Sequence, residues 1–214
     1  QQLDPWRWRI PREGKMRVDG LIYASEAMMA DIRSDKSPEQ VANVASQDMS
    51  DEIWLLLAER VNAALLQDDI VGVVITHGTD TLEETAYFLN LTVKSAKPVV
   101  LTAAMRPSTA LSADGPLNIF NAVAVAADPQ AAGRGVLIVI NDDIHGARTV
   151  SKTHTTDVQA FHAGEHGLVG ATLYGRNRWF RSSWKAHTTE TPFSVSGLEA
   201  LPRVDVLYVT SGMS

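Results

Sequence analysis

The stretch that most constrains this chain is Val71–Thr85, VGVVITHGTDTLEET, where one periodicity gives way to another within a few residues. From Ile70 to Ile75 the run is short, apolar and rich in Val and Ile, the pattern of a strand buried on both faces. From Leu82 the spacing becomes helical, and Glu83 and Glu84 fall in the first turn, where carboxylates suit the positive end of the helix dipole. Between the two lies Thr76-His77-Gly78-Thr79-Asp80-Thr81. A glycine-hinged turn therefore sets two threonines and an aspartate at the carboxyl end of a buried strand. Open α/β sheets bind their ligands at such points. Taken alone, Thr79 or Thr81 reads first as a helix cap.

The same handover recurs along the chain. A short strand over Gln40–Ala45 is expected to deliver Ser46-Gln47-Asp48 at its carboxyl end. Ser50 then caps a helix with Asp51 and Glu52 in its first turn and Ile53, Leu56, Leu57, Val61, Ala64 and Leu65 on its buried face. The helix that starts at Leu82 runs to Leu91 with Leu82, Ala86 and Leu89 inward, until Lys97-Pro98 breaks the pattern. Val99–Thr102 reads as a strand ending at Ala103-Ala104-Met105-Arg106-Pro107. After a polar loop to Gly115, Pro116 takes a first-turn position in a helix over Leu117–Ala127. Gly135–Ile140 is the next strand, closed by Asn141-Asp142-Asp143. This alternation predicts an α/β fold, a mostly parallel sheet with helices on both faces. From Leu168 the texture changes: Leu168–Tyr174, Gly175-Arg176-Asn177 and Arg178–Lys185 form the pattern of a β-hairpin toward the C-terminal end. Thr191–Pro202 reads as a linker and Val204–Val209 as one more buried strand. Upstream, Val18–Ile32 fits an amphipathic helix loosely. Gln1–Lys15, with Trp6 and Trp8 alternating with Arg7 and Arg9, is open to three readings, a mobile lid, an edge strand or foreign sequence; a surface segment packing two tryptophans is favoured over a platform for stacking single-stranded nucleic acid.

Charge and composition narrow the function classes. The net charge is −6 with no long basic run, which argues against nucleic acid as a main partner. Cysteine is absent, which removes disulfides, thiolate metal sites and cysteine nucleophiles together. His145, His154, His162 and His166 fall at no metal-ligand spacing, so no metal and no cofactor are expected. No apolar stretch is long enough to span a membrane. Gly78-Thr79-Asp80-Thr81 has the glycine and hydroxyls of a phosphate-binding turn but lacks GxGxxG and the P-loop lysine.

The run HGTDTLEETAYFLNL resembles the bacterial type II L-asparaginases and glutaminase-asparaginases. Ser46-Gln47-Asp48-Met49, Ala104-Met105-Arg106-Pro107, Ser112-Ala113-Asp114-Gly115-Pro116-Leu117-Asn118 and Ser151-Lys152-Thr153-His154-Thr155-Thr156 follow in that family's order and approximate spacing. The resemblance implies hydrolysis of L-asparagine, and of L-glutamine in some members, to the acidic amino acid and ammonia. Hydrolysing an amide needs a nucleophile, a base and donors for the developing oxyanion. By resemblance Thr79, Asp80 and Lys152 form a hydrogen-bonded catalytic group, with the lysine activating a threonine hydroxyl that is weakly nucleophilic on its own. Without the resemblance, Lys152 reads as a solvated surface lysine. Ser46 would hold the substrate carboxylate, Gln47 and Asp80 its ammonium, and the backbone carbonyl of Ala104 its amide. His77 is expected to shape the turn.

The resemblance also implies features that this sequence departs from. The family carries a further catalytic threonine in a Thr-Gly-Gly-Thr-Ile motif, which does not occur here. Its members continue past a linker into a second α/β domain that lends a glutamate and an asparagine to a neighbouring subunit. Residues 1–185 are therefore expected to be the large N-terminal domain, and residues 186–214 a linker with the first strand leading to a second domain. A homo-oligomer, a tetramer by resemblance, and a periplasmic or secreted location are implied in the same way. Two other readings stand beside the asparaginase: a truncated chain or pseudoenzyme that binds an acidic amino acid without turnover, and an ammonia-releasing subunit of a tRNA-dependent amidotransferase, which the acidic charge disfavours.

Overall fold

A computed structural model of the chain describes residues 20–24 and 39–212. Among the described residues nine strands form a seven-stranded sheet, in the order β1-β2-β3-β4-β5-β8-β9, and a separate two-stranded ribbon, β6-β7. The strands are β1 (Gly20–Ala24), β2 (Gly72–Thr76), β3 (Val99–Thr102), β4 (Val136–Ile140), β5 (Asp143–Gly146), β6 (Ser151–Lys152), β7 (Phe161–His162), β8 (Gly170–Leu173) and β9 (Arg176–Trp179). The α-helices of the described residues are α1 (Asp51–Leu65), α2 (Leu82–Thr92) and α3 (Gly115–Ala126).

The expectation of a mostly parallel sheet is corrected. Only β2–β3 and β3–β4 pair in parallel, whereas β1–β2, β4–β5, β5–β8 and β8–β9 are antiparallel. The cause lies in the turns. Ile140 pairs with Asp143 across Asn141 and Asp142, whose φ values are 49° and 65°. Two successive residues with positive φ make the hairpin turn whose twist matches antiparallel strands, and short polar side chains tolerate that region. The chain thus folds straight back after β4 instead of crossing over through a helix. Leu173 pairs with Arg176 in the same way across Tyr174 and Gly175, at φ 48° and 75°. The downstream hairpin is therefore real, with its turn one residue earlier than the sequence suggests.

Both faces of the central strands are covered, as their continuous apolar runs require. Val73, Ile75, Val99, Leu101, Val136, Ile138 and Ile140 pack on one side with Leu57, Val61 and Leu65 of α1 and Leu82, Ala86 and Leu89 of α2. Val74, Val100, Leu137 and Val139 pack on the other with Ala122, Val123, Val125 and Ala126 of α3. Ser50 caps α1 by accepting from the Ile53 N–H, and Trp54 stacks on Phe88 at 5.6 Å to tie α1 to α2.

Three other expectations are corrected. Gly20–Ala24 is an edge strand paired with β2, where a helix over Val18–Ile32 was expected; the rest of that helix, and Gln1–Lys15, lie outside the described residues. Gln40–Ala45 makes no strand, and Ser46 is delivered on a single 3-10 turn, Ser46–Asp48. Val204–Val209 forms no strand and is not buried: Val204 is 80% and Tyr208 83% exposed. An apolar run becomes a buried strand only where a sheet edge receives it, and no described strand pairs with this one. Among the described residues no helix is long and apolar enough to cross a membrane.

Candidate active site

Because β2, β3 and β4 are parallel, the loops that leave them gather at one end of the sheet. The loop after β2 is fixed from beneath by His77. This buried ring donates from Nδ1 to the Gly78 carbonyl at 2.7 Å, so Nε2 is left to accept from the Thr85 hydroxyl at 3.0 Å. The Thr85 oxygen in turn accepts from Trp54 Nε1 at 2.8 Å. The relay requires a neutral imidazole, and burial holds the His77 pKa below the ordinary histidine value, against the Gly78 carbonyl, which raises it. His77 shapes the turn, as its sequence position suggests.

Ser46 closes the loop from the side. Its Oγ accepts from the Asp80 N–H at 3.2 Å, and its carbonyl accepts from the Thr81 hydroxyl at 2.7 Å. A Cβ on Gly78 would sit 2.5 Å from Ser46 Oγ and 2.7 Å from Ser46 Cβ, so this approach is open only to glycine. Thr81 makes no side-chain cap to α2; its hydroxyl is spent on Ser46.

Lys152 arrives from the antiparallel half of the molecule. It lies on the two-residue strand β6, opposite the fully buried Phe161 of β7. Its Nζ donates to Thr79 Oγ1 at 2.9 Å and to Asp80 Oδ1 at 2.7 Å. Its backbone N–H donates to Glu83 in the first turn of α2. Burial pushes the Glu83 carboxyl above its usual range, the Lys152 backbone pulls it back, and the neighbouring Glu84 adds to the rise. The lysine is therefore held at both ends by one strand–loop–helix unit, with its side chain only 16% exposed.

The loop after β3 is built by a different device. Asp114 stands just before α3, but its carboxylate does not cap the helix. It accepts instead from Met105 N at 2.9 Å and Arg106 N at 3.0 Å, bending residues 104–107 over the strand end. Asn118 donates to the Ala103 carbonyl at 2.9 Å and accepts from Asn141 N at 3.0 Å, joining the β3 and β4 exits. Asn121 donates to Asp142 Oδ1 and accepts from Gly175 N, so α3 fixes both hairpin turns.

Of the residues singled out in the sequence, Thr79, Asp80 and Lys152 form one hydrogen-bonded group, and Ser46 is bonded to the same loop. Gln47 is exposed on the adjoining 3-10 turn, and Ala104 is half-buried in the β3 exit loop. Among the described residues neither is hydrogen-bonded to the threonine–lysine–aspartate group. Glu83, Asp114 and Asn118 are positioning residues that the sequence reading does not single out. The signals were present: Glu83 shares the motif of Thr79, and Asp114 and Asn118 bracket Gly115-Pro116. Among the described residues no three His, Asp or Glu side chains converge to hold a metal ion.

The arrangement offers a hydroxyl in contact with an amine, a carboxylate that can meet an ammonium group, and a serine whose own proton is free to be donated. That set suits attack on an amide of an amino acid. The family described as "Asparaginase, N-terminal" matches residues 12–185. A relative from Haemophilus influenzae, described as "Probable L-asparaginase periplasmic", is 50% identical over 202 residues, covering 94% of this chain and 56% of its own length. The "Glutaminase-asparaginase" of Acinetobacter glutaminasificans is 46% identical over 203 residues, covering 93% of this chain and 60% of its own. The solved structure of a "Probable Cytoplasmic L-asparaginase" from Campylobacter jejuni superposes with a TM-score of 0.81 at 52% identity, over 87% of this chain and 60% of that one. The chain thus spans between half and two thirds of the length of these relatives. The expected periplasmic or secreted location does not stand, because such relatives are described as periplasmic in one case and cytoplasmic in another.

Proposed function

The chain belongs to the asparaginase family, and from that premise we propose that it serves an amidohydrolase that converts L-asparagine to L-aspartate and ammonia, with L-glutamine as a second substrate. The observation that carries the reading is the 2.9 Å contact between Lys152 Nζ and Thr79 Oγ1, with Asp80 bonded to the same nitrogen. In its neutral form Lys152 accepts the Thr79 proton as the threonine oxygen attacks the side-chain amide carbon. The tetrahedral intermediate collapses as the nitrogen takes that proton and leaves as ammonia. Water then cleaves the threonyl ester, releasing aspartate and restoring the hydroxyl.

Substrate recognition follows from charge. Asp80, 56% exposed at its side chain, faces the α-ammonium together with Gln47. The Ser46 hydroxyl, which already accepts from Asp80 N, retains a proton to donate to the α-carboxylate. The Ala104 carbonyl accepts from the substrate amide. On this reading residues 1–185 form the amidohydrolase unit, residues 186–214 connect it to a further domain, and the assembled enzyme is a homo-oligomer.

One observation favours a second reading, a site that binds without turning over: the family's Thr-Gly-Gly-Thr-Ile motif is not in this sequence. Ammonia release from asparagine and glutamine, measured with the 214-residue chain and its Lys152→Ala variant, separates the two. Turnover that vanishes with Lys152 supports catalysis by Thr79 and Lys152. No turnover, with aspartate raising the unfolding temperature, supports the binding site. Neither turnover nor aspartate binding overturns both.

A further inference from the structure

At the opposite end of the sheet from Thr79 lies a cavity of about 280 Å³. Val136 at the start of β4, Gly146 at the end of β5 and Asn90 near the end of α2 line it, which puts it beyond the amino ends of the parallel strands. A strand of five residues separates the two ends by roughly 16 Å.

Its walls are cationic. Arg134, Arg148, Arg181 and Lys185 line it with His166 and Trp184, and no aspartate or glutamate does, in a chain whose net charge is −6. Among the described residues none of these four cations has an ion-pair partner; the carboxylate pairs fall on Lys152, Arg60 and Arg203. The guanidinium groups are aimed by neutral partners. Arg134 donates to the carbonyls of Gln130 and Arg181 and lies 4.4 Å above the Trp179 ring. Arg181 donates to the carbonyls of Leu168 and Gly167. Arg148 has one long bond, 3.4 Å, to the Ala186 carbonyl and lies over Tyr87. Carbonyls and ring faces fix the direction of a guanidinium without cancelling its charge, and leave Nη2 of Arg134 and Nη1 of Arg181 without a protein acceptor among the described residues.

We propose that this cavity is a second binding site, for a small molecule bearing a phosphate or carboxylate group, with Arg148 and Lys185 as the mobile contacts and Arg134 and Arg181 as the fixed ones. The guanidinium fork matches the paired oxygens of either group, and four gathered cations favour a multiply charged anion. The cavity exceeds a bare phosphate in size, and Trp184, 73% exposed, carries the Lys185 amine 4.2 Å from its ring centroid and lends the remaining apolar edge to the rest of the ligand.

The test is a calorimetric titration of the 214-residue chain with inorganic phosphate and, separately, succinate, at ionic strength held constant with sodium chloride. Saturable binding is expected, weakened at least tenfold in Arg148→Gln and in Lys185→Gln and partly restored in Arg148→Lys. Both side chains are exposed, so the variants should unfold at the temperature of the parent, which a melting curve checks. Binding of phosphate alone, or of succinate alone, names which oxyanion the site takes; binding of both makes it general. Absence of saturable binding for either anion overturns the proposal, as does binding that is equal in the parent and both glutamine variants. The readout is affinity, so it stands apart from whether the chain hydrolyses an amide.

Discussion

The parallel half of the sheet, β2 to β4 with their helices, and the antiparallel half, β5 to β9 with the β6–β7 ribbon, build the same site by opposite means. The parallel half offers loops at strand ends, each fixed by a few side chains: Ser46 and His77 for one, Asp114 and Asn118 for the other. The antiparallel half offers one side chain, Lys152, on a strand of two residues whose place is set by the burial of Phe161 and the bond to Glu83. In one half a backbone conformation carries the chemistry; in the other a single group is brought to it. The first should fail by distortion and the second by deletion.

Deletion should have the largest effect. Lys152→Ala removes the amine bonded to Thr79, and ammonia release is expected to fall by roughly 10³-fold while the melting temperature stays near that of the parent. A comparable rate in the variant would remove Lys152 from the mechanism. Distortion comes next. Gly78→Ala forces a methyl against Ser46, and a displacement of this kind should lower turnover by roughly 10²-fold. Should the chain bind without turnover, the same ranking is read in its affinity for aspartate.

How much of this was legible follows the same division. The parallel half announces itself: the runs at Ile70–Ile75 and Val99–Thr102, the Ser50 cap and Pro116 each give an element close to its observed bounds. Thr79 and Asp80 can be placed at a strand end for that reason, whereas Ser46, expected at the end of a strand, stands on a 3-10 turn. The antiparallel half is written in strands of two to four residues, too short for a period, and in turn residues. Asn141-Asp142 carries the hairpin signal, although in the sequence it reads as the end of a strand. Lys152 could be found only through the resemblance of its motif, because nothing in Ser151–Thr156 shows that Glu83 and Phe161 will hold it. Val204–Val209 misled in the other direction, since hydrophobicity records what a segment could bury and not whether a partner is present.

Two smaller effects sharpen the comparison on the side of stability. Asp142→Ala places alanine at φ 65° and leaves the buried Asn121 amide without its acceptor, which should cost about 3 kcal/mol in urea unfolding. Turnover per folded molecule should hold, because the turn does not touch Thr79. An unchanged urea midpoint would show that the antiparallel half tolerates the loss of its first turn. Acid should act on the buried histidines. Burial, with His162 nearby, lowers the His145 pKa to about 4, and burial lowers that of His77. The unfolded chain takes up these protons more readily, so their contribution is full above an ordinary histidine pKa and is lost as pH falls toward 4. Between pH 7 and pH 5 the loss through His145 alone should be about 2 kcal/mol. A His145→Gln variant should flatten the profile; an unaltered slope would assign it to other groups.

The double attachment of Lys152 has a mechanical consequence. Its backbone is tied to Glu83 at the start of α2, and its amine to Thr79 and Asp80 just before that helix. These links close a short ring of covalent and hydrogen bonds. A ring keeps its internal spacing when the body it is mounted on flexes, much as a caliper keeps its setting when carried. Breathing of the long segment between β3 and β6 can therefore shift the ribbon without opening the gap between amine and hydroxyl. The tolerance of the reacting pair is set by a few local bonds, while the roughly fifty intervening residues are free to serve other ends.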